Sequence, residues 1–236
     1  MGTPFTEALE LLARGAVTVK GRMPWSSNAT FLVEVRLDDA RGLAIYKPAR
    51  GERPLWDFPP GLFKRELAAW LLSEALGWGL VPPTVEREDG PYGAGALQLF
   101  VEADFEQHYF TLHEDPARHE RLMRICVFDL VANNADRKSG HCLLGPDGLV
   151  YAIDNGLCFH AEPKLRTVIW EFGGAPIPGP LLDDLRRLVQ SGLPATLAEL
   201  LAPAERKALL TRARRVLETG EFPAETGGHR YPWPLV

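Results

Sequence analysis

The chain has 236 residues, of which 46% are hydrophobic and 24% are charged, as in ordinary globular proteins. Its net charge of −5 gives no overall attraction to nucleic acid or anionic membranes, so nucleic acid is not expected as a partner. No stretch reaches the roughly 18 apolar residues of a membrane-spanning helix and no signal-peptide pattern is present, so we expect a cytoplasmic protein without stable membrane insertion.

The first hundred residues combine β-rich runs with one strong helix. An amphipathic helix is predicted over 5–14. Strand-like runs follow at 16–22, 29–37 and 42–47. Short polar loops separate these runs, which is typical of an antiparallel meander. A helix with apolar residues at helical spacing then begins at Leu62, and a buried strand is predicted at about 94–101.

The sequence becomes mainly helical from residue 115 onward. One helix is predicted over 115–134, a short hairpin follows, and three more helices each begin at a proline. This order predicts an α+β chain with two lobes. Residues 1–101 would form a small β-rich N-lobe, and residues 102–236 a larger, mostly helical C-lobe.

Two aspartates frame the predicted hairpin. Asp136 lies in a turn after the long helix, and Asp154 ends the apolar run "LVYAI" and is followed by "NG", a turn signal. Pairing "CLL" with "LVYAI" brings the two aspartates to one end of the hairpin. Close carboxylates repel each other, and a divalent cation relieves that repulsion. The alternative is that Asp136 caps one turn and Asp154 starts another.

A lysine and a glutamate form a second predicted pair. Lys47 ends the apolar run "AIYK" on the same strand face as Ile45. A lysine that points inward needs a counter-charge, and Glu66 on the next helix is the first candidate, with Glu74 the weaker one. The alternative is a solvated surface lysine.

The order of these motifs resembles the protein-kinase-like fold. The strand lysine in "YKP", the helix glutamate in "KRELAAWLL" and the hinge strand "GALQLFV" precede "NADRKSGH" and "AIDNGLCF". The last two motifs are similar to the catalytic segment of the phosphatidylinositol 3-/4-kinase-like family, and in particular to a small actinobacterial branch related to HipA-type kinases. The resemblance extends over about residues 15–175 and is most specific in the catalytic segment.

The resemblance implies an ATP-dependent phosphotransferase. Asp136 would orient and partly deprotonate the acceptor hydroxyl, and Asp154 would hold Mg²⁺ or Mn²⁺ against the ATP phosphates. Lys47, paired with Glu66, would neutralise the α- and β-phosphates. Lys138 would stabilise the transferring phosphate, unless it is a solvated loop lysine. The hinge residues expected at the nucleotide are Gln98, Phe100 and Val101.

Two features depart from the family pattern. His141 replaces an asparagine that supplies a metal ligand, which either shifts the preference toward Mn²⁺ or leaves the position to Asn134, Asn155 or water. The alternative is that His141 is a buried structural residue. The loop "MPWSSN" lacks the glycines that usually cover the phosphates, and Ser26 and Ser27 would donate hydrogen bonds there instead; the alternative is an ordinary hairpin loop.

The acceptor is a hydroxyl on a protein, a small molecule or an inositol lipid, and no basic amphipathic stretch favours the lipid. The segment that follows Asp154 contains Lys164, Arg166 and Trp170. These side chains would meet an acidic or phosphorylated substrate, or else form a solvated strand edge and a core tryptophan. The alternatives to a kinase are a catalytically inactive nucleotide-binding scaffold and a nucleotidyltransferase that transfers AMP on the same fold.

Overall fold

The computed structural model describes residues 6–24, 26, 28–225 and 230–235. The chain folds into two compact units. The first unit comprises Met1–Trp70 and Val81–Val101. The second unit comprises Leu71–Leu80 and Glu102–Val236. The composition of the two units is α+β, as predicted, with the larger sheet in the first unit and most of the helices in the second.

The first unit contains a five-stranded antiparallel sheet in the order β1-β2-β3-β5-β4. Its helices and strands are α1 Thr6–Arg14, β1 Ala16–Arg22, β2 Phe31–Leu37, β3 Ala40–Pro48, α2 Leu62–Ala75, β4 Thr84–Arg87 and β5 Gly95–Leu99. The three strands predicted for the meander are present. The last turn of α2 belongs to the second unit.

Helix α1 packs on one face of this sheet. Leu11 and Leu12 contact a core that includes Val33 and Tyr46 from β2 and β3. Side chains alternate along a strand, so Ile45 and Lys47 lie on the face opposite Tyr46. Lys47 is thereby kept out of the apolar core beneath α1.

The second unit is built around helix α4. Its elements are α3 Tyr109–His113, α4 His119–Ala132, β6 Cys142–Leu144, β7 Val150–Ala152, α5 Gly179–Ser191, α6 Ala195–Glu199 and α7 Pro203–Thr219. Helix α7 packs against α4 and α5, and β6 pairs with β7 in the predicted hairpin. Helix α3 was not predicted, because five residues are too few for a periodic signal.

Helix α4 is shorter than the sequence predicts. A 3₁₀ turn at Pro116–Arg118 precedes it, and the side chain of Asp115 accepts a hydrogen bond from the backbone of Ala117 at 3.0 Å. Eight of its residues are buried, Asp129 among them. A carboxylate buried within an apolar helix requires a partner from elsewhere in the fold.

Residues after α2 are tied to α4 and to the hairpin. The guanidinium of Arg121 donates to the carbonyl oxygens of Trp78 at 2.7 Å, Gly79 at 2.5 Å and Val150 at 2.8 Å. The backbone of Leu80 accepts a hydrogen bond from Ala152. These bonds explain why residues 71–80 fold with the second unit. Within the described ranges, no helix is both long and apolar enough to cross a membrane.

Candidate active site

Arg137 and Asp129 form an ion pair at the centre of the second unit. Both side chains have 0% exposure. Asp129 lies on α4, and Arg137 lies in the loop that follows this helix. The Nε of Arg137 donates to Oδ2 at 2.9 Å and Nη2 donates to Oδ1 at 2.9 Å, which is a bidentate arrangement. The loop is therefore fixed to the most buried helix of the unit.

The same guanidinium holds the segment after β7. Its Nη1 donates to the carbonyl oxygen of Ile153 at 2.7 Å, and Nη2 donates to Oδ1 of Asn155 at 2.7 Å. Asp154 lies between these two residues. Arg137 thus holds the backbone of Ile153 before Asp154 and the side chain of Asn155 after it, while it also holds its own loop.

Two asparagines extend this hydrogen-bond network. Asn134 donates from Nδ2 to Oδ1 of Asp129 at 3.1 Å, and its Oδ1 accepts the backbone N–H of Asp136 at 2.9 Å. The Oδ1 of Asn155 accepts from Arg137. Both amide oxygens therefore have structural partners, which argues against Asn134 and Asn155 as the replacement metal ligands that the sequence left open.

Asp154 presents its carboxylate outward from this network. Its backbone has φ of 58°, in the left-handed region that aspartate tolerates better than most residues. The side chain is 53% exposed, and its Oδ2 lies 3.4 Å from Nε2 of His141. Since Arg137 fixes both neighbours of Asp154, this backbone conformation has little freedom to relax.

His141 lies beside Asp154 and interacts with the loop backbone through its other ring nitrogen. The backbone N–H of Lys138 lies 3.3 Å from Nδ1, which must then be the unprotonated nitrogen. The proton of the neutral ring is therefore on Nε2, the nitrogen that faces Asp154. Metal ligation through Nε2 would require the other tautomer and would cost the bond from Lys138.

Asp136 lies beside both a lysine and an acid. The Nζ of Lys138 lies 3.4 Å from Oδ2 of Asp136. Burial raises the pKa of Asp136 to about 6; the Lys138 charge opposes this shift and the Asp154 charge adds to it. Asp154 is thus close enough for electrostatic repulsion, as the predicted hairpin required. A carboxyl with this pKa is suited to accept a proton near neutral pH.

The side chains around Asp154 fit a divalent cation whose coordination shell is completed by ligands from outside the protein. A cation at this half-exposed carboxylate would relieve its repulsion with Asp136. Among the described residues, no three His, Cys, Asp or Glu side chains are grouped to hold a metal. Mg²⁺ in phosphoryl-transfer sites binds one or two carboxylates together with substrate phosphates and water, so a smaller protein donor set is sufficient.

The first unit contains the predicted ion pair between Lys47 and Glu66. The Nζ of Lys47 on β3 donates to Oε1 of Glu66 on α2. Glu66 is nearly buried, with 3% side-chain exposure, while Lys47 retains 21%. The buried carboxylate thus orients an ammonium that is partly accessible to solvent, and the positive charge of this ammonium suits an anionic ligand.

The other predicted nucleotide residues have local partners in the first unit. Ser26 shares a hydrogen bond with Thr30 at 2.8 Å between their hydroxyls. Ser27 lies outside the described residues. Gln98 is buried, and its Nε2 donates to the hydroxyl of Thr84 at 2.9 Å. The backbone N–H of Phe100 donates to Leu43, and the partly buried Val101 follows it.

Sequence reasoning missed the residues that support the site. Arg137 and Asp129 join α4 to two loops through hydrogen bonds, yet the sequence motifs gave neither residue a role. The available signal was Asp129 within "ICVFDLVA", because an acid surrounded by apolar residues of a helix predicts a buried counter-charge. An arginine in the next loop is the nearest candidate.

Solved structures with a similar architecture show the fold of the chain. Hydra Fam20, in a structure that includes a sugar, matches with a TM-score of 0.60 and 15% identity over 93% of this chain and 90% of that chain. The Helicobacter pylori proinflammatory kinase CtkA matches with a TM-score of 0.52 and 12% identity over 89% and 94% of the two chains. The chain has a protein-kinase-like fold, as predicted.

A curated relative shows the family. Protein Rv2133c of Mycobacterium tuberculosis (strain ATCC 25618 / H37Rv) is 42% identical over 261 aligned positions, which cover 95% of this chain and 94% of the relative. The chain belongs to the same family as Rv2133c. No protein-family model matches the sequence.

We expect separate removal of Arg137 and Asp129 to destabilise the second unit strongly. Arg137→Met or Asp129→Asn leaves an unpaired buried partner, which costs about 3–5 kcal/mol. The double variant Asp129→Leu/Arg137→Met should lose less than the sum of the single losses, because no buried charge remains. Urea denaturation measures these free energies of unfolding.

Arg186→Met, which breaks an exposed pair with Asp183, is the control and should cost about 1 kcal/mol or less. Additive single losses would contradict the pairing.

We expect the carboxyl of Asp136 to titrate near pH 6 in the metal-free protein, and the pKa to fall in Asp154→Asn, which removes a like charge. Because folding raises this pKa from 3.8, the contribution of Asp136 to stability is present below about pH 4 and is lost as the pH rises through 6. Carbon-detected NMR measures the titration.

Asp183→Asn removes an equal charge from the exposed face of α5 and should leave the Asp136 pKa unchanged. Titration of Asp136 near pH 4 in the wild type would contradict the burial.

Proposed function

We propose that the protein is an ATP-dependent phosphotransferase that moves the γ-phosphate to a hydroxyl acceptor. The observation that carries this proposal is the placement of Asp136, Lys138 and Asp154 at one end of the hairpin, held by the buried guanidinium of Arg137. Phosphoryl transfer depends mainly on positioning and charge neutralisation, and this network supplies a fixed arrangement for both.

Asp136 would accept the proton of the acceptor hydroxyl. Its backbone is fixed by Asn134, and its side chain has a pKa raised to about 6 by burial and by the nearby Asp154 charge. At neutral pH it is largely ionised and still basic enough to take a proton as the oxygen–phosphorus bond forms. Lys138, 3.4 Å from the same carboxylate, would reach the negative charge of the transferred phosphoryl group.

Asp154 would hold Mg²⁺ or Mn²⁺. The bound ion would supply positive charge against the β- and γ-phosphates. The Nε2 of His141 lies 3.4 Å from Oδ2 of Asp154, and the 53% exposure of the Asp154 side chain gives a cation access from solvent. A role for His141 as a second ligand remains the alternative that the sequence predicted.

The Lys47–Glu66 pair would bind the α- and β-phosphates. Glu66 orients the ammonium, which would otherwise be free to rotate toward solvent. Phe100 and Val101 follow the strand that pairs with β3 and would contact the nucleotide base. Gln98 is proposed as a support for this segment, because its amide is bonded to Thr84. Ser26 and Ser27 would donate hydrogen bonds to the phosphates.

The proposed acceptor rests on the sequence rather than on the geometry of the site. A relation to the phosphatidylinositol 3-/4-kinase-like family, and through it to HipA-type kinases, remains a proposal that rests on the "NADRKSGH" and "AIDNGLCF" motifs. We propose a protein or small-molecule hydroxyl as the acceptor rather than an inositol lipid.

The two alternatives are separated by the reaction product. With an acceptor present, ATP labelled on the γ-phosphate labels the acceptor in a kinase reaction, whereas ATP labelled on the α-phosphate labels it in nucleotidyl transfer. Intact-mass measurement distinguishes the added phosphoryl group from an added AMP group. A non-catalytic nucleotide-binding scaffold binds ATP and transfers neither label.

We expect Asp154→Asn to abolish metal-dependent ATP binding while the fold survives. The substitution removes the charge of the proposed metal ligand, whereas Arg137 still holds both neighbouring residues, Ile153 and Asn155. Calorimetry of ATP binding with Mg²⁺, with Mn²⁺ and with neither, supported by circular dichroism, measures this effect. Asp183→Asn should bind as the wild type does. Equal ATP affinity of Asp154→Asn and the wild type would remove Asp154 from the metal site, and no binding by the wild type would contradict the function.

We expect His141→Asn to leave the ratio of Mn²⁺- to Mg²⁺-supported ATP affinity unchanged, because the hydrogen bond from Lys138 to Nδ1 favours the tautomer whose Nε2 carries the proton. The same calorimetric titrations measure this ratio. His141→Gln serves as a second variant with a longer side chain. A shift toward Mg²⁺ in His141→Asn would place His141 in the coordination shell and would support the prediction from sequence.

A further inference from the structure

The second unit contains a cavity that the proposed transfer reaction does not use. Its volume is about 820 Å³, within the range of small-molecule sites. The walls come from α4, α7, the segment 163–166 and the segment 221–224. Asp136, Lys138, His141 and Asp154 do not line it.

The cavity is lined by basic side chains. Five cations and a single carboxylate contribute to its walls. They are Lys164, Arg166, Arg212, Arg215, Arg230 and Glu221. The protein as a whole carries a net charge of −5, so this concentration of positive charge is local. A concave surface with one sign of charge attracts ligands of the opposite sign.

Arg212 is held in the wall by the backbone. Its Nε donates to the carbonyl oxygen of Val131 at 2.8 Å, and Nη1 donates to that of His160 at 3.2 Å. Its Nη2 is buried and has no hydrogen-bond partner within the described part of the chain. Burial lowers the pKa of Arg212 to about 10. An anion at this guanidinium would offset the cost of burying the charge.

Trp170 supplies a second donor without a partner. Its side chain is 9% exposed, and its Nε1 is buried with no acceptor among the residues that the structure describes. Buried indole N–H groups ordinarily have a hydrogen-bond partner. The guanidinium of Arg230 lies 5.9 Å from the centre of the indole ring. Both donors belong to residues that line the cavity.

The rest of the wall is apolar. Leu130 from α4, Val216 from α7 and Phe222 line the same cavity. An inorganic anion would leave these surfaces unfilled, whereas a ligand with a hydrocarbon or aromatic part would bury them favourably. The wall therefore suits an organic anion better than a simple ion.

We propose that this cavity binds a small organic molecule that carries a phosphate group. A phosphate has two negative charges and several acceptor oxygens, which match the excess of cations and the two unpaired donors better than a single carboxylate does. The apolar part of the molecule would lie against Leu130, Val216 and Phe222. The proposal requires only binding and does not depend on catalysis by Asp136 and Asp154.

The cavity wall is bonded to the loop that carries Asp136. The backbone N–H of Arg166 donates to the carbonyl oxygen of Asn134 at 2.9 Å, and that of Arg137 donates to Arg166 at 3.0 Å. Lys164 donates from its backbone to Oδ1 of Asn133 at 2.9 Å. A ligand in the cavity would thus order a segment that is paired directly with this loop.

Phenyl phosphate is the probe that tests the proposal, with phenol as its neutral counterpart and inorganic phosphate as the anion alone. We expect calorimetry to detect phenyl phosphate binding, weaker binding of inorganic phosphate and none of phenol. The indole N–H resonance of Trp170, identified by its absence in Trp170→Phe, should shift on titration with phenyl phosphate.

Charge-matched variants provide the control. Arg166→Gln/Arg215→Gln should weaken phenyl phosphate binding by about a hundredfold or more, since each lost charged hydrogen bond weakens binding by about tenfold or more. Arg186→Gln/Arg187→Gln removes the same charge from the exposed face of α5 and should leave binding unchanged.

Several results would overturn the proposal. They are the absence of phenyl phosphate binding, equal binding of phenol, equal weakening in the two double variants, and loss of binding in Asp154→Asn. The last result would assign the ligand to the candidate active site. Retained phenyl phosphate binding in Asp154→Asn, together with loss of ATP binding, would support two separate sites. The thermal unfolding midpoint of each variant verifies that its fold is intact.

Discussion

The buried ion pair between Arg137 and Asp129 is the interaction on which the second unit depends. Two charges inside a protein are costly unless each makes further hydrogen bonds, and here the guanidinium also binds Ile153 and Asn155. One side chain consequently joins α4, the loop after it and the segment after β7. Replacing the pair with apolar residues could preserve packing, but it would remove the directional bonds that define the positions of both loops.

The catalytic proposal follows from this constraint. Asp136 and Asp154 are like charges that would move apart on a flexible hairpin, and the anchored loops keep them within electrostatic range. The burial of Asp136, with a smaller contribution from its repulsion with Asp154, raises the pKa of its carboxyl, while the side chain of Asp154 is 53% exposed to solvent. Two acids of the same type thereby obtain different roles from their environments, which is the usual basis for acid–base and metal functions in one site.

Much of the fold was predictable because its elements have strong local patterns. The alternation in β2 and β3, the apolar spacing of α2 and the turn after "LVYAI" predicted the sheet, the helix and the hairpin. The pairing of Lys47 with Glu66 was also predictable, since an inward lysine needs a counter-charge. The short helix α3 and the start of α4 at His119 were not, because a few residues carry no periodicity and a 3₁₀ turn resembles a helix in sequence.

The sequence by itself determined the α+β order of the elements and the set of charged residues beside the hairpin, because both depend on neighbours along the chain. The tertiary structure alone decided which charges are buried and which are exposed. Arg137 and Asp154 are equally polar in sequence, yet one has 0% side-chain exposure and the other 53%. It also decided the hydrogen bond that Nδ1 of His141 accepts from Lys138 and the gathering of Arg166 and Arg212 around one cavity. The physical reason is that burial, pKa and hydrogen-bond direction depend on atoms distant in sequence, which no local pattern specifies.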